Sequence, residues 1–299
     1  MPTVPDSGET VAKALSHHAY QERFPDSPLP LQDSRLLDYR HPTERWMLLL
    51  ALLVVAVLII SGVWFGERDI LLAVGAVYIS MLFTALQAKT NYRLQGAEVT
   101  ATQFPAIHNI VEELRARFHA PPTRVFVVRK LSLEAETFGL SAPYVIVLTS
   151  ALLDSMEPDE LRYALGRAFG HICFGHTRIA LLMGGEESTL PAVLSWVAWL
   201  RDLIFAGYWR AETLSGDRAG ILACRSIRAA FSAQLKISVG TNQAREIRIE
   251  DMLDQAVKLR RTTSRIQAMF IRSQNTAPPL IPRLEAMLLW AGRPPKARG

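Results

Sequence analysis

Two long uncharged stretches near the start of the chain restrict its folding more than any other feature. Trp46–Gly66 holds 21 residues without a charge, and Ile70–Ala88 holds 19 more. An α-helix rises about 1.5 Å per residue, so each stretch spans about 30 Å, the hydrocarbon thickness of a bilayer. The three residues between them suffice only for a tight turn. The pattern predicts a transmembrane helical hairpin over residues 46–88, with a pair of buried core helices as the alternative.

Positive charges around the two stretches indicate how this hairpin is oriented. Three arginines precede the first stretch within residues 35–45, Lys89 and Arg93 follow the second, and the turn contains Arg68 alone. Lysine and arginine concentrate on the cytoplasmic side of a membrane. We therefore expect an integral protein of the inner or plasma membrane, with the lipid bilayer as a partner. Both termini and the folded domain should be cytoplasmic.

The composition is that of a chain with a folded domain. Of the 299 residues, 49% are hydrophobic and 20% are charged, which excludes a chain disordered throughout. Two cysteines cannot form a disulfide framework and fit a reducing compartment. Residues 1–45 are polar, contain six prolines and no long apolar run, so they predict a loosely ordered cytoplasmic tail and no cleaved signal peptide. Residues 89–299 should form the functional domain.

Hydrophobic periodicity predicts an α+β domain that is mainly helical and contains a small sheet. Helical spacing of apolar residues predicts a helix over Thr102–Phe118. Short runs rich in β-branched residues predict strands at Arg124–Val128, Thr137–Gly139 and Tyr144–Thr149. Further helices are predicted at 150–153, from 157 onward, and at 217–231, 249–272 and 282–290.

A further apolar segment lies within the domain, at residues 189–207. Its uncharged run, Ser188–Leu200, has 13 residues and is shorter than a bilayer span. A membrane-facing or re-entrant helix and an ordinary core helix both fit this segment.

The stretch Asp159–His176, with the sequence DELRYALGRAFGHICFGH, is the most informative part of the domain. It resembles the active-site helix of the HtpX-like family, which are membrane zinc metallopeptidases of the gluzincin type related to the CAAX prenyl endopeptidases. Tyr208–Cys224 is similar to the family's second zinc-binding helix. Other matching segments occur in the family's order, at Phe104-Pro105, Thr137–Gly139, Val147–Asp154 and Pro278–Met287. The resemblance implies a metallopeptidase fold, a zinc cofactor and a proteolytic activity.

Several residues that the family uses for this chemistry are replaced here. In an H-E-x-x-H helix two histidines bind Zn²⁺ and the glutamate acts as the general base. The first histidine position is Arg167, the glutamate position is Ala168, and only His171 is retained. Thr213 occupies the position of the third ligand. Since a guanidinium has no free lone pair for a metal and alanine cannot transfer a proton, we expect neither bound zinc nor hydrolysis at these positions.

A rebuilt metal site is the alternative. Glu212 precedes Thr213 by one residue, so a shift in register could return a carboxylate ligand. Cys173 and His176 lie two and five residues after His171, and these offsets along a helix predict side chains that point away from the face of His171. Without a metal, His171 would be a polar residue with hydrogen-bond partners inside a helix bundle.

The resemblance implies a structural role for Asp217. The matching aspartate of the family orients a zinc-binding histidine, and Arg167 now occupies that histidine position. We expect Arg167 and Asp217 to form a buried ion pair that links the two helices in place of the metal. A solvent-exposed position for both charges is the alternative.

These substitutions leave two alternative hypotheses for the function. One is a pseudopeptidase, which binds a polypeptide or a membrane-protein partner without cutting it. The other is an active zinc metalloendopeptidase with a rearranged site. In the family an edge strand beside the motif helix pairs with the extended substrate, and the corresponding residues here are Glu134, Ala135, Glu136, Thr137, Phe138 and Gly139. Basic residues within 258–272 lack interleaved aromatic residues at the spacing that base stacking requires, so no nucleic-acid partner is expected.

Overall fold

A computed structural model describes most of the chain. The described residues are 36–66, 68–183, 195–248, 251, 252, 255, 258 and 278–291. The first 35 residues of the predicted tail and nearly all of the predicted helix at 249–272 lie outside these ranges. The predicted segment at 189–207 is described from residue 195.

Two long helices come first, α1 (Glu44–Trp64) and α2 (Arg68–Gln95). An 18-residue stretch of α1 has a mean hydropathy of 2.9, and only 6% of it is buried. Within the described ranges, α1 is the one helix both long and apolar enough to cross a membrane. Such an exposed apolar surface is typical of a helix that contacts lipid.

Residues 36–45 pack against the domain, where a loosely ordered tail was predicted. A 3₁₀-helix at Leu36–Tyr39 buries both Leu36 and Tyr39, because residues three apart lie on one face of such a helix. The rings of Tyr39 and Trp290 pack edge to face, with 5.9 Å between their centroids. The backbone N–H of His41 donates to Ser215 Oγ at 2.9 Å. The chain is thus held to the domain immediately before α1 begins.

A four-stranded mixed sheet forms one layer of the domain. Its strands are β1 (Ala97–Glu98), β2 (Thr123–Val128), β3 (Ala135–Phe138) and β4 (Tyr144–Thr149), in the spatial order β1-β2-β4-β3. β2 and β4 are parallel, whereas β1 and β3 pair antiparallel with their neighbours. All six residues of β4 are buried, as an inner strand covered on both faces requires. β3 lies at an edge of the described sheet.

Helices make up the rest of the domain. They are α3 (Pro105–Arg117), α4 (Ser150–Ser155), α5 (Pro158–Phe174), α6 (His176–Leu182), α7 (Ser195–Cys224), α8 (Ile227–Val239), α9 (Thr241–Ala244) and α10 (Leu280–Ala291). The prediction of one helix over 217–231 was wrong. Arg225 has a positive φ of 55°, which ends α7, and the Ser226 side chain caps α8 by accepting the N–H of Ala229.

The helices α5 and α7 lie in very close contact, and this contact positions the candidate site. Small residues face each other across it: a Cβ placed on Gly166 would overlap Ala223, and one on Gly170 would overlap Ala219. The absence of side chains lets the two backbones approach closely, so polar groups on either helix can meet directly.

The described part of the apolar segment, residues 195–207, forms the first half of α7. Phe205 and Ala206 are buried, and Phe205 lies in one apolar cluster with Ala51 of α1. Trp199 and Leu203 are exposed by 65% and 43%. The segment therefore has one face on α1 and another facing outward.

Candidate functional site

The helix α5 contains the positions that the resemblance assigns to the family's catalytic residues. Its start is fixed by Pro158 and by a capping box, in which Glu157 and Glu160 each bond the backbone of the other. Ala168 is only 1% exposed and belongs to the hydrophobic core. The position of the general base is therefore filled by a methyl group packed among apolar side chains.

Thr213, at the third ligand position, is bonded within its own helix. Its hydroxyl donates to the carbonyl oxygen of Trp209 at 2.9 Å, a bond typical of a helical threonine. A neutral hydroxyl used in this way is a poor substitute for a zinc-binding carboxylate.

The negative charge of Asp217 is compensated chiefly by an arginine of α10. Arg283 donates from Nε to Oδ2 and from Nη2 to Oδ1, both at 2.6 Å, and the Tyr163 hydroxyl donates to Oδ1 at 3.0 Å. Arg167 Nε lies 3.0 Å from Oδ1. The structure thus brings Arg167 and Asp217 together, as expected. Arg283 is a second and closer partner of Asp217. Asp217 is 1% exposed, whereas the Arg167 side chain is 21% exposed.

Sequence reasoning did not assign Arg283 to this cluster. The signal was available, because Arg283 lies in Pro278–Met287, one of the segments that resemble the family. Burial opposes ionisation of Asp217, but the charges of Arg283 and then Arg167 overcome this and hold its pKa below the ordinary value. For Arg283, burial would lower the pKa, but the contact with Asp217 raises it instead. Both groups are therefore charged at neutral pH.

A second polar cluster lies beside the first and contains His171, His176 and Glu212. His171 Nδ1 is 3.0 Å from His176 Nδ1 and 3.4 Å from Glu212 Oε1, and His176 Nδ1 is 3.9 Å from that oxygen. The prediction that His176 points away from His171 was wrong. It treated both residues as parts of one helix, but Gly175 adopts φ +83°, which ends α5 and starts α6 at His176.

The first residue of α1 contacts this cluster. Glu44 accepts a hydrogen bond from His176 Nε2 at 2.8 Å, and both side chains are fully buried. Ser215 donates to the other oxygen of Glu44 at 2.5 Å, and Arg40 donates to the first oxygen at 2.6 Å. No pattern in the sequence pointed to Glu44, since 132 residues separate it from His176.

The electrostatic environment leaves His171 neutral. Burial lowers its pKa, and the neighbouring His176 and Arg167 add to this effect, while Glu212 opposes it. A neutral imidazole keeps a lone pair for a metal. Burial raises the pKa of the Cys173 thiol to about 11, so the thiolate form that binds metals is not populated at neutral pH.

The residues predicted to bind a polypeptide lie on and beside the edge strand β3. Glu134 and Thr149 form a hydrogen-bonded pair, since the backbone N–H of Thr149 donates to the carbonyl oxygen of Glu134 at 3.2 Å. Antiparallel pairs alternate between bonded and unbonded, so the backbone N–H and C=O groups of Ala135 and Thr137 point away from β4. In the described sheet, no strand pairs with this outer edge.

Side chains of this segment also contact neighbouring parts of the domain. Lys130 contacts both Glu134 and Glu136, at 3.2 Å and 2.7 Å. The hydroxyls of Thr137 and Thr177 are 3.0 Å apart, which connects β3 to α6. The outer edge of β3 is therefore held next to the helix that begins at His176.

Comparison with known proteins identifies the family. The sequence model of peptidase family M48 matches residues 101–290, nearly the whole domain described above. The chain belongs to peptidase family M48. This M48 assignment confirms the HtpX-like resemblance, and M48 peptidases are typically zinc-dependent.

Curated M48 relatives match the chain at low identity. A protease HtpX homolog of Streptococcus pyogenes serotype M5 is 30% identical over 128 residues, which cover 42% of this chain and 42% of the relative. Protease HtpX homolog 2 of Sulfurisphaera tokodaii is 24% identical over 153 residues, or 47% of this chain and 45% of the relative. The chain thus spans less than half of the length of these relatives.

Residues that could hold the zinc of this family are present, but only His171 is at a ligand position expected from the resemblance. Arg167 faces Asp217, and Thr213 is bonded within α7. His171, His176 and Glu212 form the cluster whose ligand atoms all lie within 4.8 Å of one another. Two imidazoles and a carboxylate are a donor set typical of zinc.

Proposed function

We propose that the chain is a membrane-anchored M48 homologue that binds a polypeptide or a membrane-protein partner without cutting it. The observation that supports this most strongly is Ala168, buried at the position of the general base. Proton transfer by a general base typically contributes about 10²–10⁴ in rate. A methyl group supplies none of this.

Nearby carboxylates do not replace the missing base. Glu212 is the one carboxylate of the His171–His176–Glu212 group, and as a metal ligand it would not be free to take a proton. Glu44 is fully buried and bonded to His176, Ser215 and Arg40. Asp217 is paired with Arg283. Each carboxylate of the two clusters therefore has a role that conflicts with base catalysis.

The outer edge of β3 supports the binding part of the proposal. The outward backbone groups of Ala135 and Thr137, which no strand of the described sheet pairs with, can accept an added strand, and main-chain hydrogen bonds give such binding its affinity. This mode requires no metal and no base. A partner would then lie along β3 and next to α6.

Membrane anchoring rests on the two N-terminal helices. In the proposed topology α1 and α2 form a transmembrane hairpin, and the domain and both termini are cytoplasmic. The apolar surface of α1 supports insertion, and the arginines and lysines that flank the two helices support the orientation.

Two substitutions of Thr137 test whether a partner binds by adding a strand to β3. In the full chain purified in detergent, Thr137→Pro removes an N–H that points outward, while Thr137→Val keeps it; both variants lose the hydroxyl contact with Thr177. We expect fluorescently labelled, unfolded β-casein to bind the wild type and Thr137→Val similarly. Thr137→Pro should bind several-fold more weakly in fluorescence anisotropy. Equal binding by both variants would contradict the role of β3.

The same labelled casein tests the absence of hydrolysis. We expect no release of peptides by the wild-type chain with added Zn²⁺. Cleavage that stops with a chelator and is lost in Glu212→Gln, but persists in His108→Ala, would overturn the proposal. It would establish the second candidate, an active metalloendopeptidase with a rearranged site, which the geometry of His171, His176 and Glu212 favours.

A further inference from the structure

The cluster of His171, His176 and Glu212 has the dimensions of a metal site. Its three facing atoms, the two Nδ1 atoms and Glu212 Oε1, are separated by 3.0, 3.4 and 3.9 Å. In tetrahedral zinc sites, with bonds of about 2.0–2.1 Å, neighbouring ligand atoms lie about 3.3 Å apart. The triangle therefore needs only small side-chain adjustments to accommodate the ion.

Hydrogen bonds prepare His176 as a ligand. Glu44 is a carboxylate that can only accept, so His176 Nε2 must carry the proton it donates across 2.8 Å. In a neutral His176 the remaining nitrogen, Nδ1, carries a lone pair on the side of His171 and Glu212. A histidine held by a carboxylate in this way is the usual arrangement around protein-bound zinc.

His171 is turned toward the same point by its contact with α7. A Cβ on Gly216 would lie 2.6 Å from His171 Nε2, so the glycine lets the ring pack directly on the helix backbone. This leaves Nδ1 on the side of His176 and Glu212. In the described part of the chain, the other oxygen of Glu212, Oε2, is buried and has no hydrogen-bond partner. The carboxylate therefore lacks full compensation for its burial, and a bound cation would supply it.

We infer that the chain binds one zinc ion through His171, His176 and Glu212, with Glu44 as a positioning residue. Only His171 is shared with the family's ligand positions. Three protein ligands leave a fourth coordination position for another donor. The inference is independent of the proposed absence of hydrolysis, because it concerns metal content and not reaction.

The site would connect the N-terminal helix to the domain. Glu44 is the first residue of α1, and its partners His176 and Ser215 belong to α6 and α7. Zinc bound to His176 increases the positive charge that faces Glu44. We therefore expect metal binding to strengthen the attachment of α1 to the domain.

Metal content of the full chain in detergent tests the site. After saturation with Zn²⁺ and removal of excess metal, the wild type should retain about one zinc per chain by elemental mass spectrometry, as expected for a three-ligand site. His176→Ala and Glu212→Gln should lose it. His108→Ala and Glu112→Gln, at partly exposed positions of α3, serve as matched controls and should retain it.

If a variant folds poorly, the Tm and the absorption spectrum of the metal-bound chain still test the inference. Zn²⁺ should raise the Tm of the wild type, and Co²⁺ should give a visible absorption band of tetrahedral type that Glu212→Gln removes. Glu44→Gln should retain the fold but bind zinc about 10–100-fold more weakly, as for other outer partners of zinc-bound histidines. A wild type that retains no zinc and shows no Tm shift would overturn the inference, as would unchanged zinc in Glu212→Gln.

Discussion

Asp217 shows how the fold compensates a buried carboxylate next to Arg167, the residue at the position where the resemblance implies a histidine. Removing a charge from water costs several kcal/mol unless partners compensate, and three groups surround this one: Arg283, Tyr163 and Arg167. The two bonds of Arg283 form a planar fork that fits a carboxylate. Arg283 therefore contributes more to the balance than the partly exposed Arg167.

This difference leads to a stability prediction. Arg283→Met should lower the free energy of unfolding of the domain by about 3–5 kcal/mol, because it leaves a buried carboxylate without its main partner. Arg167→Met should cost clearly less, since its side chain is 21% exposed and Arg283 remains. Denaturant unfolding in detergent, followed by tryptophan fluorescence, gives both values. Equal losses would show that Arg167 shares the charge evenly.

A charge-removal control separates the ion pair from simple packing. In an Asp217→Asn background, Arg283→Met should cost much less than in the wild type, because the carboxylate that it leaves unpaired is absent. A cost that is unchanged by Asp217→Asn would mean that Arg283 acts through its apolar contacts.

At the level of helices and strands, local patterns predicted most of the described elements. The strand Tyr144–Thr149 was predicted with its observed bounds, because a run of β-branched residues between turn signals is a strong local signal. The break at Arg225 was missed, since no glycine or proline marks it. The relation of His171 to His176 was missed because a helix was extended past Gly175.

The close contact of α5 with α7 predicts how the stability of the domain responds to an added methyl group. Gly170→Ala should destabilise the domain by about 1–3 kcal/mol, because the added methyl group overlaps Ala219 in a packed interface. Intrinsic helix propensity alone would favour alanine by about 1 kcal/mol. Gly75→Ala in α2 is the matched control: nothing lies within 4 Å of its added Cβ, so it should be neutral or stabilising. Thermal unfolding compares the two, and an equal response would contradict the close packing of the helices.

Across the whole molecule, the candidate site depends on contacts that join distant parts of the chain. Glu44 and His176 are separated by 132 residues, and Asp217 and Arg283 by 66. Such pairings depend on how complete helices pack, so a single sequence does not reveal them. The family resemblance supplied the two site helices, but the partners that surround Asp217 and His176 follow from the packing of the whole domain.

The contact of Glu44 with the domain also restricts the membrane topology. Because Glu44 begins α1 and is buried against α6 and α7, the domain must lie on the same side of the membrane as the start of this helix. If α1 and α2 form a transmembrane hairpin, the turn at Gly66 lies on the opposite side. The orientation proposed from the flanking positive charges would place the N-terminal end of α1 and the domain in the cytoplasm and the turn outside.

Cysteine labelling tests this arrangement. In a chain with Cys173→Ala and Cys224→Ala, Gly66→Cys should react with a membrane-impermeant maleimide in intact cells. Arg245→Cys, at the exposed end of α9, should react only after permeabilisation. Labelling of both positions in intact cells, or of neither, would contradict the hairpin, because it would place the turn and the domain on one side of the membrane. Labelling of Arg245→Cys alone would instead keep the hairpin and reverse its orientation, against the charge distribution around α1 and α2.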